Sequence, residues 1–145
     1  MPVEIRELKK EEFADAEKVW YHYRQQKADL ERDRIFGSFV NGQLVGVARC
    51  KRHSDGVEVD GVFVLEGFRN RGLAAGMLRA LIAGCGAETL YMHSTLDLVS
   101  YYLQFGFMPI SEIELPPTIK ERMVFCFGDM PACGVSPMMR KGTPG

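Results

Sequence analysis

Residues 69–74 read Arg-Asn-Arg-Gly-Leu-Ala and stand where a strand-like apolar run gives way to a helical one. A helix start leaves backbone N–H groups unpaired and carries partial positive charge, so it receives phosphate oxygens readily. Gly72 and Ala74 keep side-chain bulk away from those N–H groups, and the backbone can then approach a pyrophosphate closely. Arg69 and Arg71 add charge, and each hydrogen bond to a charged group contributes about 1.5–3 kcal/mol. The chemistry this favours is the anchoring of a nucleotide-like ligand by its phosphates. Taken alone, such a turn is more often a solvated helix start than a phosphate site. No GxGxxG follows the strand and no GxxxxGK[ST] occurs, so neither a Rossmann nor a P-loop fingerprint is present.

The elements around the turn are legible from periodicity. Residues 3–8 alternate apolar and polar, the period of a half-buried strand. Over 11–26 the period becomes helical, with Phe13, Ala16, Val19, Trp20 and Tyr23 on one stripe. Strand-like runs at 35–40 and 44–50 flank Asn41-Gly42, a type I′ hairpin signal. A turn near Ser54-Asp55-Gly56 leads into a third run at 57–65, and connections this short make the three antiparallel. Leu73, Ala74, Met77, Leu78, Leu81 and Ile82 set a helix over 71–83, closed by Gly84 and Gly86. A strand at 89–93, a helix ending at Gly106 and a strand at 107–113 follow. Beyond Pro116-Pro117, Thr118 is placed to cap a short helix through Cys126, and 136–141 reads as a last strand. The order predicts one α/β domain over 1–145, with a mixed, mostly antiparallel sheet flanked by helices.

Two segments in this order carry a resemblance. Residues 69–74 match the pattern (Gln/Arg)-x-x-Gly-x-(Gly/Ala), and Ser100-Tyr101-Tyr102-Leu103-Gln104-Phe105-Gly106-Phe107 matches a second, Tyr-x-x-x-Gly-Phe segment. Together they resemble the GCN5-related N-acetyltransferase superfamily, closely over 57–113 and in architecture only over 1–52. The resemblance implies a V-shaped split between the fourth and fifth strands, with acetyl-CoA as cosubstrate. Backbone groups of Val62, Phe63, Val64 and Leu65 would pair with the pantetheine arm. Arg69, Asn70, Arg71, Gly72, Leu73 and Ala74 would hold the pyrophosphate. Tyr102, at the family's tyrosine position, would donate a proton to the CoA sulfur, and a glutamate base would sit near Glu58.

N-acylation needs such groups. An amine of pKa about 10.4 is protonated at neutral pH and must lose its proton before attack. Glu58 lies eleven positions before Arg69, and Asp60, two residues on, faces the same side of its strand. A neighbouring carboxylate would raise the pKa of a base. His93, or a water, is the alternative base, and either carboxylate also reads as a solvated strand residue. Tyr102 also reads as an ordinary core tyrosine, while His22 and His53 receive no role.

Composition narrows the partners. Eighteen basic against nineteen acidic residues give a net charge of −1, without the basic excess of a nucleic-acid binder. No signal-peptide pattern and no apolar run of about 18 residues appears, so a cytoplasmic protein without a membrane span is expected. Cys50, Cys85, Cys126 and Cys133 lack metal-site spacing, and no metal is expected. The expected acceptor is a primary amine of a small molecule or peptide, and a homodimer is compatible with the sequence. The competing reading is a non-catalytic module that binds acyl-CoA on the same fold. Residues 114–134 exceed the family's minimum and are expected either to cover the acceptor or, equally, only to cap the sheet edge, with Ile119, Met123 and Cys126 on one helical face.

Overall fold

Chain order and strand pairing define a mixed α/β fold in a computed structural model that describes residues 2–143. The alternating N-terminal run forms β1 (Val3–Glu7), which pairs antiparallel with β2 (Asp33–Val40). β2 returns through Asn41 and Gly42 into β3 (Gln43–His53), pairing Val40 with Gln43. Both turn residues have positive φ, 52° and 80°, as a type I′ turn requires. β4 (Gly56–Val64) follows, and after it α2 (Leu73–Cys85). Then come β5 (Leu90–Thr95), α3 (Val99–Leu103), β6 (Met108–Pro109), α4 (Pro117–Phe127) and β7 (Val135–Arg140). The seven strands are ordered β1-β2-β3-β4-β5-β7-β6. β4 and β5 are parallel, with Val57↔Leu90 and Glu58↔Tyr91 as register partners; β7 runs antiparallel to both β5 and β6.

Three expectations are corrected. The helix read over 11–26 is a 3-10 turn (Lys10–Glu12) followed by α1 (Phe13–Trp20), because the polar run after Tyr23 buries too little to extend it. The strand read over 107–113 contracts to two residues, and a 3-10 turn at Glu112–Glu114 is capped by Ser111. The helix read over 71–83 starts and ends two residues later, as α2, and the last strand, β7, inserts between β5 and β6.

The chain forms two compact units, residues 1–51 with 59–84 and residues 52–58 with 85–145. In the first, the α1 stripe of Phe13, Ala16, Val19 and Trp20 packs with Leu8, Ile35, Phe39 and Val47. Trp20 is fully buried, and its indole N–H donates to the Gly61 carbonyl at 2.8 Å. In the second, Ile119 and Met123 of α4 pack with Leu115, Met130 and Val135. Cys126, expected on that same face, is exposed; the buried residues of α4 are Ile119 and Met123. Nor does Thr118 cap α4. Pro117 occupies the first turn, and the Thr118 N–H donates to the Asp55 carboxylate at 2.9 Å.

Candidate active site

In the first unit, β4 leaves the sheet through a 3-10 turn, Glu66–Phe68, and reaches α2 by an irregular backbone. Arg69 is extended, Asn70 has φ 64° and Gly72 φ 75°. A Cβ on Gly72 would meet no atom within 4 Å. Glycine there supplies the backbone conformation, and the space in front of it stays open. The first helical bond runs from Gly76 N–H to the Gly72 carbonyl at 3.0 Å, so the earlier N–H groups of the turn form the donor set of a helix start.

The two arginines of this turn are steadied by neutral partners. Arg69 Nε donates to the Val64 carbonyl at 2.8 Å, and its guanidinium carbon lies 5.2 Å from the Phe63 ring centroid. Arg71 Nη2 donates to the Gly67 carbonyl at 3.3 Å, and its guanidinium carbon lies 5.3 Å from the Phe68 centroid. Among the described residues, no carboxylate forms a salt bridge with either, so both positive charges stay uncompensated. The turn can therefore hold phosphate through backbone N–H groups and two guanidinium groups. Of the strand residues expected along a pantetheine arm, Val64 already accepts from Arg69, and the Leu65 N–H donates to Val45 at 2.8 Å.

Glu58, in the second unit, is fully buried. Its Oε1 accepts from Arg122 Nε at 2.7 Å and lies 2.9 Å from His53 Nε2, while Oε2 accepts from Arg122 Nη2. Burial pushes the Glu58 carboxyl up, but the hydrogen bonds and charges of His53 and Arg122 outweigh it and hold the group below the usual carboxylate range. The shift is opposite to the upward one that suits a general base at neutral pH.

Asp60, in the first unit, is engaged just as fully. Arg49 Nε and Nη2 grip its two oxygens at 2.7 and 2.8 Å. The same guanidinium reaches Lys27 O, Asp33 and Gln26, and it lies 4.8 Å from the Trp20 ring. Two carboxylates one strand step apart thus serve separate arginines.

Tyr102 is buried on α3, its ring edge-on to Tyr101 at 5.3 Å and to Phe107 at 6.3 Å. Its carbonyl accepts from Phe105 and Phe107 N–H where the chain turns through Gly106 (φ 89°). That turn fixes the helix end and the spacing of the Tyr-x-x-x-Gly-Phe segment. His93 packs its ring on Phe127 with centroids 4.5 Å apart.

Sequence reasoning gave His53 no role and did not join Arg122 to Glu58. For His53 a signal existed: the tight turn at 54–55 folds it back toward β4. For Arg122, sixty-four positions away, there was none. Among the described residues no group of three His, Cys, Asp or Glu could hold a metal ion, and no helix is long and apolar enough to cross a membrane.

Comparison with solved structures shows the same fold at low identity. N-acetylglutamate synthase from Neisseria gonorrhoeae, solved with coenzyme A and N-acetyl-glutamate, has TM-score 0.72 and 18% identity. The match covers 99% of this chain but 36% of that one. The ribosomal-protein-S18-alanine N-acetyltransferase of Escherichia coli has TM-score 0.68 and 17% identity, covering 99% and 97% of the two chains. A Mycobacterium tuberculosis protein solved with CoA and NLQ has TM-score 0.69 and 12% identity, covering 97% and 99%. No curated protein matches the sequence. The acetyltransferase (GNAT) family profile matches residues 3–107, well over half of the chain, and the protein belongs to that family of acyltransferases.

Proposed function

We propose that the protein transfers an acetyl group from acetyl-CoA to a primary amine of a small molecule or peptide, by direct attack in a ternary complex. The observation that carries this reading is the turn at 69–74. It has two arginines that bridge no carboxylate among the described residues, an open space before Gly72 and a helix start behind it. Charge and shape there suit the CoA pyrophosphate. A solved N-acetylglutamate synthase of the same fold holds coenzyme A and N-acetyl-glutamate, and another protein of that fold is by name a ribosomal-protein-S18-alanine N-acetyltransferase.

In the reaction the neutral amine nitrogen attacks the thioester carbonyl and forms a tetrahedral intermediate. Its collapse breaks the C–S bond and expels the CoA thiolate, which takes a proton from the Tyr102 hydroxyl. The amine's surplus proton passes to a base, and from there through solvent it restores the Tyr102 hydroxyl, so one turnover leaves no net proton change on the protein. Glu58 is poorly suited to that step, being fully buried, ion-paired and held below the usual carboxylate range. Asp60 is likewise occupied by Arg49. We therefore assign both carboxylates a holding role and route the proton to His93 or to water. Acceptor choice falls to the segment 114–134, which carries Lys120 and the exposed Phe125 on α4, while its Arg122 is paired to Glu58.

The test is a thiol-release screen with acetyl-CoA over amines, amino acids and peptides. Amine-dependent release is expected, and it should vanish in Gly72→Glu. Thermal stabilisation by CoA without release for any amine would support a binding module instead.

A further inference from the structure

A stack of four side chains joins the segment after α1 to the phosphate turn. The Tyr23 and Phe63 rings lie nearly parallel, with centroids 5.1 Å apart and 16° between planes. The Arg69 guanidinium carbon is 5.2 Å from the Phe63 centroid, and that of Arg24 is 5.9 Å from the Tyr23 centroid. Tyr23 is 55% exposed, too open to serve chiefly as core. Its backbone is nonetheless fixed, because Tyr23 and Arg24 N–H groups both donate to the Trp20 carbonyl at 2.9 Å. Phe63 is half-buried against the core around Trp20 and Phe39.

We propose that Tyr23 and Phe63 are positioning residues for the cofactor's phosphates, acting through Arg69; this rests on the reading of 69–74 as the phosphate turn. An arginine side chain has many rotamers, and fixing it only when the ligand arrives costs affinity. Here two contacts fix it beforehand. Nε is held by the Val64 carbonyl, and the guanidinium lies beside an aromatic ring that is itself braced by Tyr23. With Nε engaged, the two Nη groups form a paired donor edge, the geometry that binds phosphate bidentately. The brace needs a ring at position 23 and makes no use of the phenol oxygen.

The experiment measures CoA affinity by calorimetry for Tyr23→Ala, Tyr23→Phe, Arg69→Ala and the double variant Tyr23→Ala/Arg69→Ala, with each melting temperature recorded. Tyr23→Ala is expected to weaken CoA about three- to tenfold, the range that ring stacking and cation–π contacts support. Tyr23→Phe should match the wild type. In the Arg69→Ala background, Tyr23→Ala should cost nothing further, which a general structural defect would not reproduce. If Arg69→Ala weakens CoA while Tyr23→Ala does not, the brace is refuted and the phosphate turn stands. An undiminished Tyr23→Ala effect without Arg69, or a Tyr23→Phe loss equal to that of Tyr23→Ala, also refutes it. If Arg69→Ala itself leaves CoA affinity unchanged, the role of Arg69 in the phosphate turn fails, and the proposal fails with it.

Discussion

The turn at 69–74 in the first unit, to which we assign the cofactor's phosphates, and the Glu58 cluster of the second use the same residue types in opposite ways. Arg69 and Arg71 are exposed and steadied by carbonyls and rings, and among the described residues no carboxylate is bridged to either. Arg122 places Nε and Nη2 on a carboxylate that no solvent reaches, and His53 lies against the same oxygen that takes Nε. A charge left uncompensated at the surface is available to a ligand. A charge neutralised in the interior is committed to the fold, because removing either partner strands the other in a poorly solvating medium. Charge alone therefore does not mark a binding residue; the partner does. Glu58 lies on the strand that leads to the phosphate turn and carries the family's expectation of a base, yet its partners mark it as a fastener between β4 and α4.

The sharpest challenge to this division is Tyr102, a buried group to which we assign chemistry. Tyr102→Phe keeps the ring contacts with Tyr101 and Phe107 and removes only the hydroxyl. General acid–base contributions are about 10²–10⁴-fold, so kcat should fall by that factor while the melting temperature barely moves. A loss below about threefold, far under that range, would return Tyr102 to the core.

Next in size is Arg122→Ala. Breaking a buried ion pair from one side costs about 3–5 kcal/mol, and the partial exposure of Arg122 places this variant toward the lower end. Denaturant unfolding measures it, with CoA affinity as the control expected to hold. If stability is unchanged and CoA affinity falls, the two regions have exchanged the roles assigned to them. Gly72→Glu is the mirror experiment. It puts bulk and negative charge into the open space before the turn and should weaken CoA by at least about 100-fold, near 2.7 kcal/mol. The positive φ of Gly72 strains any side chain there by about 1–3 kcal/mol, so the melting temperature should fall and CoA binding is compared on the folded variant. A folded variant with native CoA affinity would remove the turn from the binding site.

The difference between the two regions also explains what the sequence disclosed. The hairpin at Asn41-Gly42 and the turn at 69–74 are local, because positive φ and small residues leave a mark within a few positions. The α2 and α4 stripes are legible for the same reason, since helical periodicity is local. The insertion of β7 between β5 and β6 joins Leu90 to Arg140 and Met108 to Met139, pairings that no short window contains. The Arg122–Glu58 pair and the Asp55 contact to Thr118 are long-range too, and the local candidate for that cap, Thr118 itself, proved wrong. Residue types that could bind or react were visible from the start. Which of them were already occupied was not, because occupancy is a tertiary property.

The smallest expected effects concern acid and salt, and they carry the comparison to carboxylates. Arg6 grips Glu12 with two hydrogen bonds of 2.8 Å, and the Lys9 N–H adds a third at 2.8 Å. Those hydrogen bonds, Arg6 first, hold the Glu12 carboxyl down to about 2 from its ordinary 4.5, although it lies near the surface. Glu58 is also held below its ordinary value, against the upward push of its own burial. In both cases the folded value is depressed, so each carboxylate stabilises the fold above about pH 4.5 and loses that contribution as pH falls toward its folded value. Salt should separate them. At about 1 M the screening length is near 3 Å, which weakens a solvated pair and leaves a buried one nearly untouched. Acid unfolding of the wild type, Glu12→Gln and Glu58→Gln at low and high salt makes the comparison. Glu58→Gln should flatten the acid limb of the stability curve at both salt concentrations, and Glu12→Gln only at low salt. Equal salt sensitivity in the two variants would show that Glu58 is solvated in solution, and its assignment as an interior fastener would fall.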